Sequence, residues 1–216
     1  MCDASLAGVT ISFVVSRPMA ATSIRATVFP SATLAVDTML ALGGAALIAL
    51  AAQISLSLPF TPVPITGQTF AVTTTAAALG LRTGAASSVL YVGAGLVGLP
   101  VYANGGSGWH AVSGATGGYL IGFVVCALIV GWCGDRGWAS SFSSTVGAML
   151  LGETVIYLCG LLWLRHSLHT PLGKTLELGL YPFVVGDLLK VYAAAAVLPS
   201  AHRWVRHLRS GDTDPA

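Results

Sequence analysis

Charge is what this chain lacks most. Of its 216 residues 8% are Asp, Glu, Lys or Arg, while 55% are hydrophobic. Soluble domains carry about 25% charged residues, so 10 basic and 8 acidic side chains cannot clothe a soluble surface over this length. A mean hydropathy of +0.80 agrees, and the chain reads as a membrane protein. The net charge of +2, with no basic run, excludes the electrostatic footprint of a nucleic-acid binder. Cys2, Cys126, Cys133 and Cys159 form no CxxC and no Cys/His spacing for a metal. Three of them sit inside apolar stretches and read as small buried hydrophobes. There is no Ser/His/acid set and no phosphate loop. His110, His166, His169, His202 and His207 all fall in loops or the tail. No enzyme, metal or cofactor is therefore expected.

Long apolar stretches are what the chain has instead. A span needs about 20 mostly apolar residues. Residues 1–35 fail that test, because Arg17, Pro18 and Arg25 split their apolar patches. They also lack the basic segment that opens a cleaved signal peptide, and read as a poorly ordered cytoplasmic extension. Candidate spans follow at 34–56, 68–81, 84–99, 119–133, 142–164 and 181–199. Three prolines in "PFTPVPITG" (59–67) rule out a regular helix there. The Gly-rich "VYANGGSGWHAVSGATGG" (101–118) is a loop. The fold class expected is an all-α membrane protein, a six-helix bundle over 36–200 followed by a basic, polar tail at 201–216.

Six spans place both termini on one side. Arg17, Arg25, Arg82, Arg136, Arg203, Arg206 and Arg209 share that side, against Arg165 and Lys174 on the other. The positive-inside rule makes it the cytoplasm. The loops 57–67, 100–118 and 165–177 then face outward.

Within the spans, "GAGLVG" (93–98) matches G-x-G-x-x-G but lacks the preceding strand and later acid of a dinucleotide site. Close helix packing explains it better. Ala41, Ala45 and Ala49 form a stripe at four-residue spacing. It serves either packing within the bundle or docking to another membrane protein. Asp187 and Lys190 are three positions apart and share a helix face. A lone charge at a helix centre costs about 2.5–3.5 kcal/mol on insertion scales, so the two should pair or face a polar cavity. Glu153 is a third ionisable group in a span, closer to the inner end, where a rim position is one option.

"PVPITGQTF" (62–70), "GLPVYANGGSG" (98–108), "SGATGGYLIGF" (113–123), "ETVIYLCGLLWL" (153–164) and "PFVVGDLLK" (182–190) resemble, in order, motifs of the BioY family. These are the biotin-binding S-components of energy-coupling factor transporters. The resemblance covers about 36–200. It implies a multi-pass protein of the bacterial cytoplasmic membrane that binds biotin from outside and releases it inward. A transmembrane T-component and two ATPase subunits would drive that release. It also implies that Asp187 and Lys190 contact biotin, with Asn104, or the neighbouring Gly106–Ser107, from the Gly-rich loop. Gln68 and Tyr119 complete the candidate site. The alanine stripe Ala41, Ala45, Ala49 resembles the face that docks on the T-component. Three residues depart from the family: Ala115 and Val185 where Pro is common, and Glu153 where an amide is common.

Biotin's chemistry suits such a site. A carboxylate accepts from the ureido N–H groups, and a Lys donates to the ureido carbonyl. Tyr91, Tyr102, Trp109 and Tyr119 are candidates to pack on the rings. Two other readings stay open at this point. One is an S-component for a different vitamin. The other is a stand-alone carrier that uses Asp187, Lys190 and Glu153 to couple ions, although no internal repeat supports it.

Overall fold

The structure is a computed structural model and describes residues 23–211. Its helices are α1 (Ile24–Val28), α2 (Leu34–Gln53), α3 (Gln68–Leu96), α4 (Gly108–Ser113), α5 (Gly117–Asp135), α6 (Phe142–Leu168), α7 (Leu172–Gly179) and α8 (Tyr181–Gly211). A two-stranded antiparallel ribbon, β1 (Ser55–Leu56) with β2 (Ile65–Thr66), closes the loop between α2 and α3. Among the described residues four helices are long and apolar enough to cross a membrane: α2, α5, α6 and the Tyr181–Val205 part of α8. The core between them is built from Ile48, Val72, Tyr91, Val130, Met149, Ile156 and Leu164, all fully buried.

α3 is not one straight helix. Gly80 takes φ 80, ψ −178, a conformation open essentially only to glycine. The chain reverses there. A Cβ on Gly84 would lie 2.7 Å from the Cα of Ala76, so the two arms, 68–79 and 81–96, pack backbone to backbone. The Leu81 N–H that opens the second arm is capped by Asp135 Oδ2 at 2.9 Å, from the end of α5. The arms are roughly 18 and 24 Å long at 1.5 Å per residue, each shorter than the roughly 30 Å hydrocarbon core. They coincide with the second and third apolar stretches of the sequence. "GAGLVG" lies in the second arm, where Gly95 leaves room for the ring of Tyr102. It is a packing motif.

α2 ends and α8 begins beside the loops 54–67 and 98–116. The start of α2 and the end of α8 therefore lie at the opposite end of the bundle.

Three readings of the sequence need adjustment. Residues 1–22 of the expected extension lie outside the described residues, but 23–35 are folded. Ser23 caps α1, and Arg25 binds Asp37 in the first turn of α2 at 2.8 and 2.6 Å, a bidentate, charge-assisted pair. α8 runs on through Pro199 to Gly211, so the tail continues the last helix. At 31 residues it is roughly 46 Å long, more than a bilayer core. The alanine stripe is also not an open face. Ala41 is buried, and Ala45 and Ala49 are half-buried against the core. The outward face of α2 is formed instead by Met39, Leu42, Leu47 and Leu50. Helical periodicity could not say which side of α2 meets the bundle, because the helix is apolar all round.

Candidate ligand-binding site

A cavity of about 240 Å³ opens beneath the loops, between α3, α5, α6 and α8. Its apolar wall includes Leu120, Phe123, Ile156 and Phe183, and its rim Pro62, Val63 and Pro64. All five residues singled out in the sequence for ligand contact line it: Gln68, Asn104, Tyr119, Asp187 and Lys190. A mostly apolar hollow with few convergent polar groups is the usual form of a small-molecule site.

Asp187 and Lys190 do pair, as their spacing on α8 suggested. Lys190 Nζ lies 2.7 Å from Asp187 Oδ1. Lys190 also donates to the Thr66 carbonyl at 2.6 Å and to Thr69 Oγ1 at 3.1 Å. The Thr69 hydroxyl in turn donates to Asp187 Oδ1 at 3.1 Å, so one hydroxyl bridges both charges. Tyr157 Oη donates to Asp187 Oδ2. The Asp187 side chain is 8% exposed and that of Lys190 21%. Both side chains line the hollow, the carboxylate the more deeply buried of the two. Burying one charge alone costs several kcal/mol, and this network removes that cost by satisfying each charge locally.

The other candidates are held as firmly. Gln68 Nε2 donates to Tyr91 Oη at 2.5 Å. Tyr91 is thereby kept behind the wall, edge-on to Tyr102 at 5.6 Å between ring centroids. Tyr102 Oη donates to the Val92 carbonyl at 2.6 Å, and burial raises its phenol above the usual value, so it stays a neutral donor. Tyr119 Oη donates to the Gly179 carbonyl at 2.8 Å. Its ring fits because Gly160 has no side chain to meet it. Asn104, at φ 57, accepts from Ser55 Oγ at 2.6 Å and donates to Ser57 Oγ at 3.1 Å. It ties the Gly-rich loop to the ribbon over the cavity. Thr61 Oγ1 fastens the same roof to the Leu178 carbonyl at 2.6 Å.

Trp109 is 72% exposed and takes no part in the wall. Val185 is 70% exposed, away from the hollow. Glu153, for which a rim position was one option, is instead 6% exposed in the core. Sequence reasoning missed Thr69 and Tyr157. The one local signal was a tyrosine within the apolar run "TVIYLCGLL", since a buried phenol needs a hydrogen-bond partner.

A cavity of this kind, set at one end of a bundle of membrane-length apolar helices, defines a membrane-embedded protein that binds a small solute. A model of the BioY family matches residues 6–207, and the chain belongs to that family. It is 37% identical over 142 residues to the "Biotin transporter BioY" of Thermotoga maritima, covering 66% of this chain and 82% of the relative. It is 38% identical over 153 residues to the "Probable biotin transporter BioY" of Pyrococcus horikoshii, covering 71% and 86%. Its fold is similar to that of a crystallised S-component for biotin from an ECF-type ABC transporter, with a TM-score of 0.69. That match covers 83% of this chain and 95% of the other, at 24% identity.

Proposed function

We propose that this chain is the biotin-binding S-component of an energy-coupling factor transporter in the bacterial cytoplasmic membrane. The observation that carries this is the charge-balanced Asp187–Lys190 pair set into an apolar cavity, in a chain of the BioY family. In this reading Lys190 donates to the ureido carbonyl of biotin, at the place now held by the Thr66 carbonyl. Asp187 accepts from a ureido N–H, with Tyr157 and Thr69 holding the carboxylate in position. Gln68, Tyr119 and Asn104 shape the walls, and the thiophane ring and alkyl tail pack on Leu120, Phe123 and Phe183. A T-component and two ATPase subunits supply the work of inward release. The two arms of α3 complete a six-span bundle, and the cavity opens to the outside.

Calorimetry on the detergent-purified chain tests the ligand. Saturable biotin uptake at one site per chain is the expected result. Saturation by a different vitamin, with no response to biotin, reassigns the pocket.

The orientation rests on the basic residues, seven on the side of the termini and two opposite. Reporter fusions after Arg136 and after Leu172 are expected to give opposite signals, the second external. Equal signals would remove the six-span arrangement.

A further inference from the structure

A further ionisable group lies behind the pair. Glu153 of α6 is 6% exposed, does not line the cavity, and has an Oε2 without a hydrogen-bond partner among the described residues. The groups that face it come from three helices. α8 brings Asp187, which repels a carboxylate, and Lys190, which attracts it. α6 brings Tyr157, one turn away, and α5 brings the buried thiol of Cys126. From α3 comes the neutral Thr73, against the adjoining Gly152.

Neither Lys190, Tyr157 nor Thr73, whose hydroxyl is given to the Thr69 and Phe70 carbonyls, is free to serve Glu153, which leaves the weakly donating Cys126 thiol. The three N–H bonds of Lys190 are directed at the Thr66 carbonyl, Thr69 Oγ1 and Asp187 Oδ1. The Tyr157 hydroxyl is given to Asp187. An ionised Glu153 would be a buried anion whose Oε2 has no donor among the described residues, and such a group neutralises itself rather than stay charged. Among the described residues the site holds a single cation, Lys190, already matched by Asp187.

We propose that Glu153 is held as the neutral acid and that its proton sets the charge balance of the pocket, so that a carboxylate-bearing ligand is accepted only while Glu153 is protonated. With the proton present the three groups sum to zero. Without it they sum to minus one, and that charge acts through a low-dielectric interior on the carboxylate at the end of the ligand's tail. Affinity for an anionic ligand then falls as pH rises through the ionisation of Glu153. This rests on the biotin reading for the ligand but not for the state of Glu153.

The test compares the full-length wild type with Glu153→Gln, which keeps the shape and removes the titration, and with Cys126→Ala, which removes the neighbouring thiol. Biotin affinity is measured by calorimetry from mildly acidic to alkaline pH. The wild type and Cys126→Ala are expected to weaken by roughly tenfold per pH unit once Glu153 ionises. Glu153→Gln is expected to hold the low-pH affinity of the wild type across that range. A Glu153→Gln profile that falls as the wild type does would overturn the proposal. Infrared spectroscopy without ligand gives a separate reading. The carbonyl stretch of a protonated carboxyl should appear in the wild type at neutral pH and vanish in Glu153→Gln. Its absence from the wild type would equally overturn the proposal. If no variant binds biotin at any pH, the ligand assignment fails, and the infrared comparison still decides the state of Glu153.

Discussion

Lys190→Met and Asp187→Asn each abolish or strongly weaken biotin binding in the expected outcome, and each also lowers the melting temperature of the empty protein. Two effects add here. A hydrogen bond to a charged group is worth roughly 1.5–3 kcal/mol, so losing the contacts of either side chain weakens binding by roughly 10- to 100-fold or more. Removing one partner of a buried pair also leaves the other uncompensated, at about 3–5 kcal/mol. Without Lys190, Asp187 keeps only the hydroxyls of Tyr157 and Thr69. Without the carboxylate, Lys190 keeps the Thr66 carbonyl and Thr69. The double variant Asp187→Asn with Lys190→Met separates the effects. It removes both charges, so the melting temperature should recover most of the loss, while binding should not return. Melting temperature against biotin affinity across the three variants is the decisive comparison. If the double variant recovers both, the pair is structural and the ligand is held elsewhere.

Gly80→Ala is expected to destabilise the protein strongly. At φ 80, ψ −178 any residue with a Cβ is strained, at roughly 1–3 kcal/mol. The added methyl would also run into the Asp135 carboxylate. Moving that carboxylate uncovers the half-buried Leu81 N–H it caps, at up to roughly 1 kcal/mol for the lost hydrogen bond. The two losses fall on the turn that reverses α3, so the arms lose register and the Gly84–Ala76 contact opens. Gly93→Ala in the second arm is the control, since nothing lies within 4 Å of a Cβ there. It should be neutral or gain up to roughly 1 kcal/mol from helix propensity. Thermal melting and the monodisperse fraction in detergent distinguish the two. Equal behaviour would mean that the reversal does not depend on Gly80.

Much of the site could be read before any coordinates, because its key pair is local. Asp187 and Lys190 sit three residues apart on one helix, and an apolar helix cannot carry them unpaired. The Pro-rich and Gly-rich loops were equally legible, since three prolines in nine residues deny a helix its N–H donors. The alanine stripe shows the opposite case. Spacing showed that Ala41, Ala45 and Ala49 share a face, but the direction of that face depends on which helix lies alongside. In α2 every face is apolar enough for lipid, so sequence carries no signal for it. Its position in the span left a rim open to Glu153, whereas its burial comes from α5 and α8 closing over it.

Composition and pattern alone determined that the chain lies in a membrane, roughly where its apolar helices begin, and that one acid–base pair must be reconciled with an apolar surrounding. Hydrophobicity, proline and glycine act through the solvent and the local backbone, so these conclusions need no knowledge of neighbours. Only the tertiary structure decided that the chain reverses at Gly80, and that Thr69 bridges Asp187 and Lys190 across 118 and 121 residues of sequence. It alone joined Tyr157 to Asp187 and left Glu153 Oε2 without a hydrogen-bond partner among the described residues. Such contacts depend on which helix faces are brought together by packing, and an apolar sequence does not record that choice.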